Sequence, residues 1–307
     1  GLTFLLASVW AKFSSRFYPY RMAAFELIPN SAIEVWLKLP ALLKVAGFLG
    51  AWLGLWLPLA APLSFYFQWK PLQPLTGGQK LSLLIPLYLL VLAIVVAVAQ
   101  AENVSIFSFG FRWNGSTFGS VAWGFVGGVF GLVVLFAVQT WLSWIVWSWQ
   151  EMPSWRSLVA PVSIAWILAL WIGGTEELVF RGVLQNLLQQ GYCAWQSAAI
   201  ASLIFALLHL VWDIRETLPQ LPGLWLMGMI LTFARFADGG SLGLAWGLHA
   251  GWIWGMTCLD TTAVLRYGDR VPTWVTGFYG KPLAGGSGIV FLLGTGGAIW
   301  LLVQFAA

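Results

Sequence analysis

The sequence predicts an all-α, polytopic membrane protein, a bundle of about eight transmembrane helices. Of its 307 residues, 60% are hydrophobic and only 8% are charged, whereas a soluble domain carries about 25% charged residues. Apolar runs of about 20 residues, the length that a helix needs to cross a bilayer, recur along the chain with short gaps. A backbone in lipid must satisfy its own hydrogen bonds, and the alternation typical of a membrane barrel is absent. The runs are therefore predicted to be helices.

The first apolar run begins at residue 41 and divides the chain in two. Residues 1–40 are predicted to form a basic or interfacial segment, and residues 41–307 the transmembrane bundle. The predicted spans are 41–67, 81–101, 117–149, 159–188, 194–212, 221–237, 242–258 and 288–303. Positive charge at or before the start of the first span favours a cytoplasmic N-terminus; the residues are Lys12, Arg16, Arg21, Lys38 and Lys44.

The charge and cysteine counts exclude several classes of protein. A formal net charge of +4 is too small and too dispersed to follow a phosphate backbone, so no nucleic-acid partner is expected. Cys193 and Cys258 are too few for a disulfide framework and do not form a metal-ligand pair. We expect partners that belong to the membrane, namely lipids and a peptide or membrane-protein substrate.

The fourth predicted span carries three charged residues within six positions, Glu176, Glu177 and Arg181. A charge at the centre of a membrane helix costs about 2.5–3.5 kcal/mol on insertion scales, so these three must pair, reach water or serve a function. Glu177 and Arg181 are four residues apart and are predicted to form an ion pair on one helix face. Glu176 points about 100° away from Glu177 and is predicted to face another partner.

The only two histidines, His209 and His249, both lie within apolar spans. The span around His249 has a glycine at every fourth position, which lets a neighbouring helix approach closely while the imidazole faces elsewhere; these are Gly243, Gly247, Gly251 and Gly255. The carboxylates, the arginine and both histidines occupy three spans that are nearly adjacent in sequence. We therefore predict that they converge on one polar site.

Such a site suits the activation of water. A buried carboxylate can take a proton from water, and an imidazole can orient that water or stabilise an oxyanion. The alternative is Zn²⁺ held by Glu176, His209 and His249 with one open position. The residue pattern is compatible with both water activation without a metal and a zinc site. The chain has no H-E-x-x-H motif, no G-x-S-x-G motif and no cysteine beside a histidine, so serine or thiol catalysis is not expected.

Three motifs follow one another along the chain: E-E-x-x-x-R from Glu176 to Arg181, F-x-x-x-H from Phe205 to His209, and a second buried histidine, His249. Together they resemble the CAAX protease and bacteriocin-processing family, also called the Abi family. Its members are intramembrane endopeptidases related to the type II CAAX prenyl protease. The resemblance covers about residues 155–260.

The resemblance implies a helix bundle with a cavity and a role for each residue in the motifs. Glu176 would activate water with the assistance of His209. Glu177 and Arg181 would support the site, and His249 would serve the oxyanion or a metal.

One position departs from the family pattern. The last family motif is a histidine followed four residues later by Asn or Asp, and here that position is Ile253. Isoleucine cannot donate a hydrogen bond to an oxyanion, and losing one such donor costs about 10²–10³ in rate. Asp213, one turn after His209, is the candidate to orient that imidazole. Trp252 and Trp254 are the candidate replacement donors.

Two functions remain open. The first is an intramembrane endopeptidase that hydrolyses a peptide bond with Glu-activated water assisted by His. The alternative is a catalytically impaired relative that serves as a scaffold, assembly factor or subunit of a larger membrane complex. Ile253 and the glycine pairs Gly124/Gly128 and Gly127/Gly131 motivate it, although G-x-x-x-G patterns serve internal packing more often than assembly. A transporter is disfavoured because no inverted repeats are visible. The expected location is a bacterial inner membrane or a thylakoid-type membrane.

Overall fold

A computed structural model describes residues 29–268 and 271–306. The architecture is the predicted one, an all-α bundle. Within those two ranges, seven helices are long and apolar enough to cross a membrane. The protein is therefore a multi-pass integral membrane protein. Most of the predicted basic segment at residues 1–40 lies outside the described residues, and of this segment a short helix at Asn30–Lys38 is described.

The long helices follow the predicted spans closely. The short helix is α1 at Asn30–Lys38, and the long helices are α2 at Ala41–Phe67, α3 at Gly77–Ala101, α4 at Gly115–Trp141, α5 at Trp155–Glu177, α6 at Ala194–Leu208, α7 at Leu221–Ala237, α8 at Gly243–Thr262 and α9 at Gly286–Ala306. A π-helical segment, Leu178–Leu184, and one further α-turn, Gln185–Leu188, continue α5. A 3₁₀ turn at His209–Val211 ends α6. Two short strands, β1 at Ile145–Trp147 and β2 at Leu265–Tyr267, complete the fold.

Side-chain caps explain why several helices begin before the predicted spans. The Thr76 hydroxyl accepts a hydrogen bond from the Gln79 amide, and the Gln79 side chain accepts one from the Thr76 amide, which is a capping box. Asn114 Oδ1 accepts from the Thr117 amide at 2.9 Å. Such caps satisfy amides at the helix start that have no partner within the helix. These polar residues start α3 four residues and α4 two residues before the predicted spans.

The prediction that the third span continues to residue 149 is wrong. α4 ends at Trp141, and Ser143 adopts a positive φ of 58°, which turns the chain back. Residues Ile145–Trp147 then pair as an antiparallel strand with Leu265–Tyr267. The backbone beyond α4 therefore has sheet hydrogen bonds available, and it does not need to remain helical at the end of the span.

The glycines of α8 pack against glycines of α4. A Cβ at Gly124 would lie 2.5 Å from the carbonyl oxygen of Leu244, and a Cβ at Gly247 would lie 2.1 Å from that of Val121. Backbone oxygens cannot move aside, so only glycine permits this approach. These G-x-x-x-G patterns therefore serve packing inside the chain, which weakens one motive for the scaffold hypothesis.

The opposite face of α8 packs against α5 and forms hydrogen bonds with it. The close contact between Gly174 and the indole ring of Trp246 leaves no room for a side chain at position 174. Two indole N–H groups of α8 donate to carbonyl oxygens of α5, Trp246 to Leu170 at 2.7 Å and Trp254 to Val162 at 3.1 Å. These bonds, about two helical turns apart, fix the register of the two helices. The C-terminal end of α5 consequently lies against the middle of α8.

Candidate active site

The predicted ion pair between Glu177 and Arg181 is present, and it holds one of the two histidines. Arg181 Nη1 donates to Glu177 Oε1 at 3.0 Å. His249 Nδ1 lies 2.8 Å from the same oxygen. Since a carboxylate only accepts, Nδ1 carries the hydrogen in this contact. The Glu177 side chain is fully buried, so the pair fixes the ring of His249 from inside the bundle.

Glu176 faces away from that pair, as predicted. Its Oε1 accepts a hydrogen bond from the phenol of Tyr88, and its Oε2 lies 3.6 Å from His249 Nε2. Its side chain is 11% exposed, against 0% for Glu177. Of the two adjacent carboxylates, Glu176 is therefore the one that a molecule from outside the bundle can reach.

The second histidine, His209, packs against the ring of Phe205, which His249 also contacts. His209 Nδ1 donates to the carbonyl of Phe205 at 2.7 Å, which leaves Nε2 as the acceptor nitrogen. The ring of Phe205 lies 4.5 Å from that of His209 and 6.0 Å from that of His249, centroid to centroid. The guanidinium of Arg181 stacks over the same phenyl ring at 4.6 Å. Phe205 is thus the common packing partner of the site.

Because His209, His249 and Arg181 all pack around the ring of Phe205, the three spans meet at this residue. Glu176, Glu177 and Arg181 come from the α5 helix and its extension, His209 from the end of α6, and His249 from α8. The three spans therefore bring their polar side chains together, as the sequence predicts.

The backbone changes character at this site. Directly after Glu177 the chain enters the π-helical segment Leu178–Leu184, which contains Arg181. Single π-helical turns are rare and occur frequently at functional sites. The wider turn leaves Arg181 paired with Glu177 and directs its backbone carbonyl to the guanidinium of Arg235.

The prediction that Asp213 orients His209 is wrong. Asp213 accepts from the amides of Arg215 and Glu216 at 2.9 and 3.1 Å and so caps a short helical turn. His209 uses Nδ1 on a backbone carbonyl, so the structure provides no orienting contact from Asp213.

The two candidate replacement donors also differ. The N–H of Trp254 is bound to α5. The N–H of Trp252 is buried and has no hydrogen-bond partner among the described residues. The side chain of Ile253 is a hydrocarbon, so the position four residues after His249 has no hydrogen-bond donor.

Three residues near the site were missed by sequence reasoning. Tyr88 of α3 donates to Glu176, and Lys80 Nζ, in the first turn of the same helix, lies 5.5 Å from the ring of Trp212, three residues after His209. Arg235 of α7 donates to the backbone carbonyl of Arg181. A buried tyrosine in an apolar span was the available signal for Tyr88, because a buried phenol needs a hydrogen-bond partner. Lys80 and Arg235 lie near helix ends, where basic residues are common.

The nitrogen and oxygen donors do not fit the zinc alternative. Both Nδ1 atoms are bonded to oxygen atoms of the protein, so only the Nε2 atoms could ligate a metal, and that of His249 lies 3.6 Å from Glu176 Oε2. Across residues 29–268 and 271–306, no group of three His, Cys, Asp or Glu side chains is arranged to hold a metal ion.

Part of the chain, including the candidate site residues, matches a known family model. Residues 157–255 match the family model "Type II CAAX prenyl endopeptidase Rce1-like". This Rce1-like segment, residues 157–255, covers about a third of the chain and contains Glu176, His209 and His249. It confirms the resemblance seen in the motifs. The searches of curated proteins and of solved structures gave no significant match.

The Rce1-like segment does not contain the whole site. It runs from α5 to α8, whereas Tyr88 and Lys80 belong to α3. Helices outside the matched segment therefore supply one wall of the site, and this wall carries the phenol that binds Glu176.

Proposed function

We propose that the protein is an intramembrane endopeptidase that hydrolyses a peptide bond with water activated by Glu176. One observation carries the proposal: two adjacent carboxylates have different partners. Glu177 is sealed in an ion pair and orients His249, while Glu176 is the more accessible and lies beside His249 Nε2. In acid–base catalysis one carboxylate can orient a neighbouring group while a second, accessible carboxylate exchanges protons with the substrate or water. The Rce1-like match supports peptide hydrolysis as the reaction.

The chemistry follows from the atoms that are free to react. His209 Nε2 accepts a hydrogen bond from the attacking water, and Glu176 Oε2 takes the water's proton as the oxygen bonds to the peptide carbonyl carbon. The carbonyl oxygen becomes an oxyanion. As it collapses, the C–N bond breaks and the amine takes the proton from Glu176. The products are a carboxylic acid and an amine, and the carboxylate of Glu176 is restored.

His249 serves the charge that develops during this step. Its Nδ1–H is held by Glu177, so Nε2 is the nitrogen that faces the reacting groups. While Glu176 holds the water's proton, Nε2 can take it temporarily; the resulting imidazolium stabilises the oxyanion and returns the proton to Glu176 before the C–N bond breaks. Ile253 adds no donor, so the cation on His249 would carry more of this stabilisation than in a site with Asn at that position.

The substrate class that the family description suggests is a prenylated peptide ending in the CAAX pattern. The experiment is to reconstitute the purified protein in lipid vesicles with a farnesylated CAAX peptide and to identify products by mass spectrometry. We expect cleavage at an internal bond of the CAAX sequence. The same peptide without the lipid should be cleaved more slowly. A wild-type protein that cleaves neither peptide would contradict the proposal.

His209→Phe should lower the rate of this cleavage by about 10²-fold, because the water loses its acceptor while Glu176 stays in place. Leu208→Ala is the matched control, since Leu208 is an exposed neighbour on the same turn. Steady-state kinetics on both variants checks the prediction. Equal rates for the two would remove His209 from the mechanism.

A second candidate function is a catalytically impaired relative that works as a scaffold, assembly factor or subunit of a larger membrane complex. Two observations favour it. Ile253 has no hydrogen-bond donor in its side chain, and the phenol of Tyr88 occupies one oxygen of Glu176. It predicts a stoichiometric partner on purification from native membranes and no effect of Glu176 substitutions on that association.

We also propose that the N-terminus is cytoplasmic and that the bilayer is a bacterial inner membrane or a thylakoid-type membrane. The basic residues at and before the start of α2 support the orientation. Protease protection of an N-terminal tag in sealed, right-side-out vesicles would test it.

A further inference from the structure

Tyr88 of α3 makes the hydrogen bond that fixes Glu176, although α3 lies outside the Rce1-like segment. Its side chain is 5% exposed, and its ring packs edge-on against Trp171 of α5 with 5.6 Å between centroids. A tyrosine has only two side-chain torsions, and here the indole ring restricts both. The phenol oxygen is therefore held at one place at the wall of the site.

The contact with Tyr88 gives the two oxygens of the Glu176 carboxylate different neighbours. Oε1 accepts from the phenol, so Oε2 is the oxygen that faces His249 Nε2 at 3.6 Å. A glutamate side chain with three torsions and no such anchor would sample several orientations. Because catalytic groups must be placed to within about 0.5 Å, an anchored carboxylate presents its reactive oxygen far more often than a free one.

We propose that Tyr88 is a positioning residue that holds Glu176 with Oε2 toward His249, so that the site is completed by a helix outside the Rce1-like segment. This inference rests on the proposed peptidase function. The residue acts through Glu176, and it does so by orientation rather than by binding the substrate. It differs from a packing role because the ring alone, without the O–H, would not suffice.

The experiment compares Tyr88→Phe with Tyr267→Phe in the farnesylated-peptide assay. Tyr267 lies in β2, outside the candidate site, and its O–H donates to the Gly280 carbonyl at 3.4 Å. Both substitutions thus remove a partly or fully buried phenol O–H. We expect Tyr88→Phe to lower kcat by about 10–100-fold with KM nearly unchanged, because the reactive geometry is lost while the substrate still binds. Tyr267→Phe should leave both constants close to those of the wild type.

Rescue separates orientation from packing. Incorporating 3-fluorotyrosine at position 88 keeps the ring and the O–H and should restore most of kcat. A Tyr88→Phe variant as active as Tyr267→Phe, or a loss confined to KM, would overturn the inference while the wild type still cleaves peptide. A fluorotyrosine variant as impaired as Tyr88→Phe would also overturn it. A wild type without activity would overturn the proposed function, and this inference with it.

Discussion

Glu176→Gln is expected to lower kcat for peptide cleavage by about 10³–10⁴-fold. The amide has nearly the same shape as the carboxylate, and its carbonyl oxygen can still accept the phenol O–H of Tyr88. The bundle should therefore fold normally. What is lost is the group that takes the proton from water, and His249 Nε2 at 3.6 Å has no other carboxylate of this accessibility beside it.

Glu102→Gln is the matched control for this variant. The Glu102 side chain is 11% exposed, the same fraction as that of Glu176, and it also binds a polar network, formed with Lys44 and Gln190. Single-turnover kinetics and thermal unfolding should be measured on both proteins. We expect the glutamine at position 102 to affect stability more than rate, and the glutamine at position 176 to do the reverse. A Glu176→Gln protein with wild-type kcat would exclude the mechanism.

Arg181→Met should destabilise the folded protein by about 3–5 kcal/mol, because it leaves the Glu177 carboxylate buried without its cation. The side chains of Arg181 and Glu177 are 1% and 0% exposed, so water cannot replace the lost partner. The substitution also removes the stacking of the guanidinium on Phe205. Methionine retains an unbranched, flexible stem at this buried position, so the electrostatic loss is expected to dominate.

Arg266→Met provides the comparison, because Arg266 pairs with Glu151 where both side chains are more than half exposed. An exposed pair of this kind contributes about 0–1 kcal/mol. Unfolding of both variants in detergent, followed by circular dichroism, measures the difference. The double variant Arg181→Met, Glu177→Gln should recover part of the loss, since no buried charge is then left unpaired. Equal stability of the two single variants would contradict the buried pair.

The fold class, the Glu177–Arg181 ion pair and the place of His249 in the site could be predicted from the sequence alone. Spans could be found because lipid imposes a length and a composition on each helix. The pairing of Glu177 with Arg181 could be found because four residues correspond to about one helical turn. His249 could be assigned to the site because an imidazole in an apolar helix needs a polar partner.

Other features depended on tertiary contacts. The end of α4 could not be located, since the strand at Ile145–Trp147 exists only because residues about 120 positions later pair with it. Asp213 was assigned to His209 from spacing alone, whereas a nearer pair of backbone amides binds it. Tyr88 is 88 residues away from Glu176 in sequence. Nothing in the local pattern of α3 indicates which helix it will face.

The π-helical segment at Leu178–Leu184 has a consequence for any comparison of this chain with its relatives. A π-turn holds one residue more than an α-turn, so everything beyond the segment is rotated and advanced relative to a regular helix. A homologue that lacks one amino acid there would have a regular α-helix, and the residues beyond the segment would keep the same helix face. Alignments should therefore place a gap within this stretch, and grafts of the motif onto other scaffolds should include the extra residue.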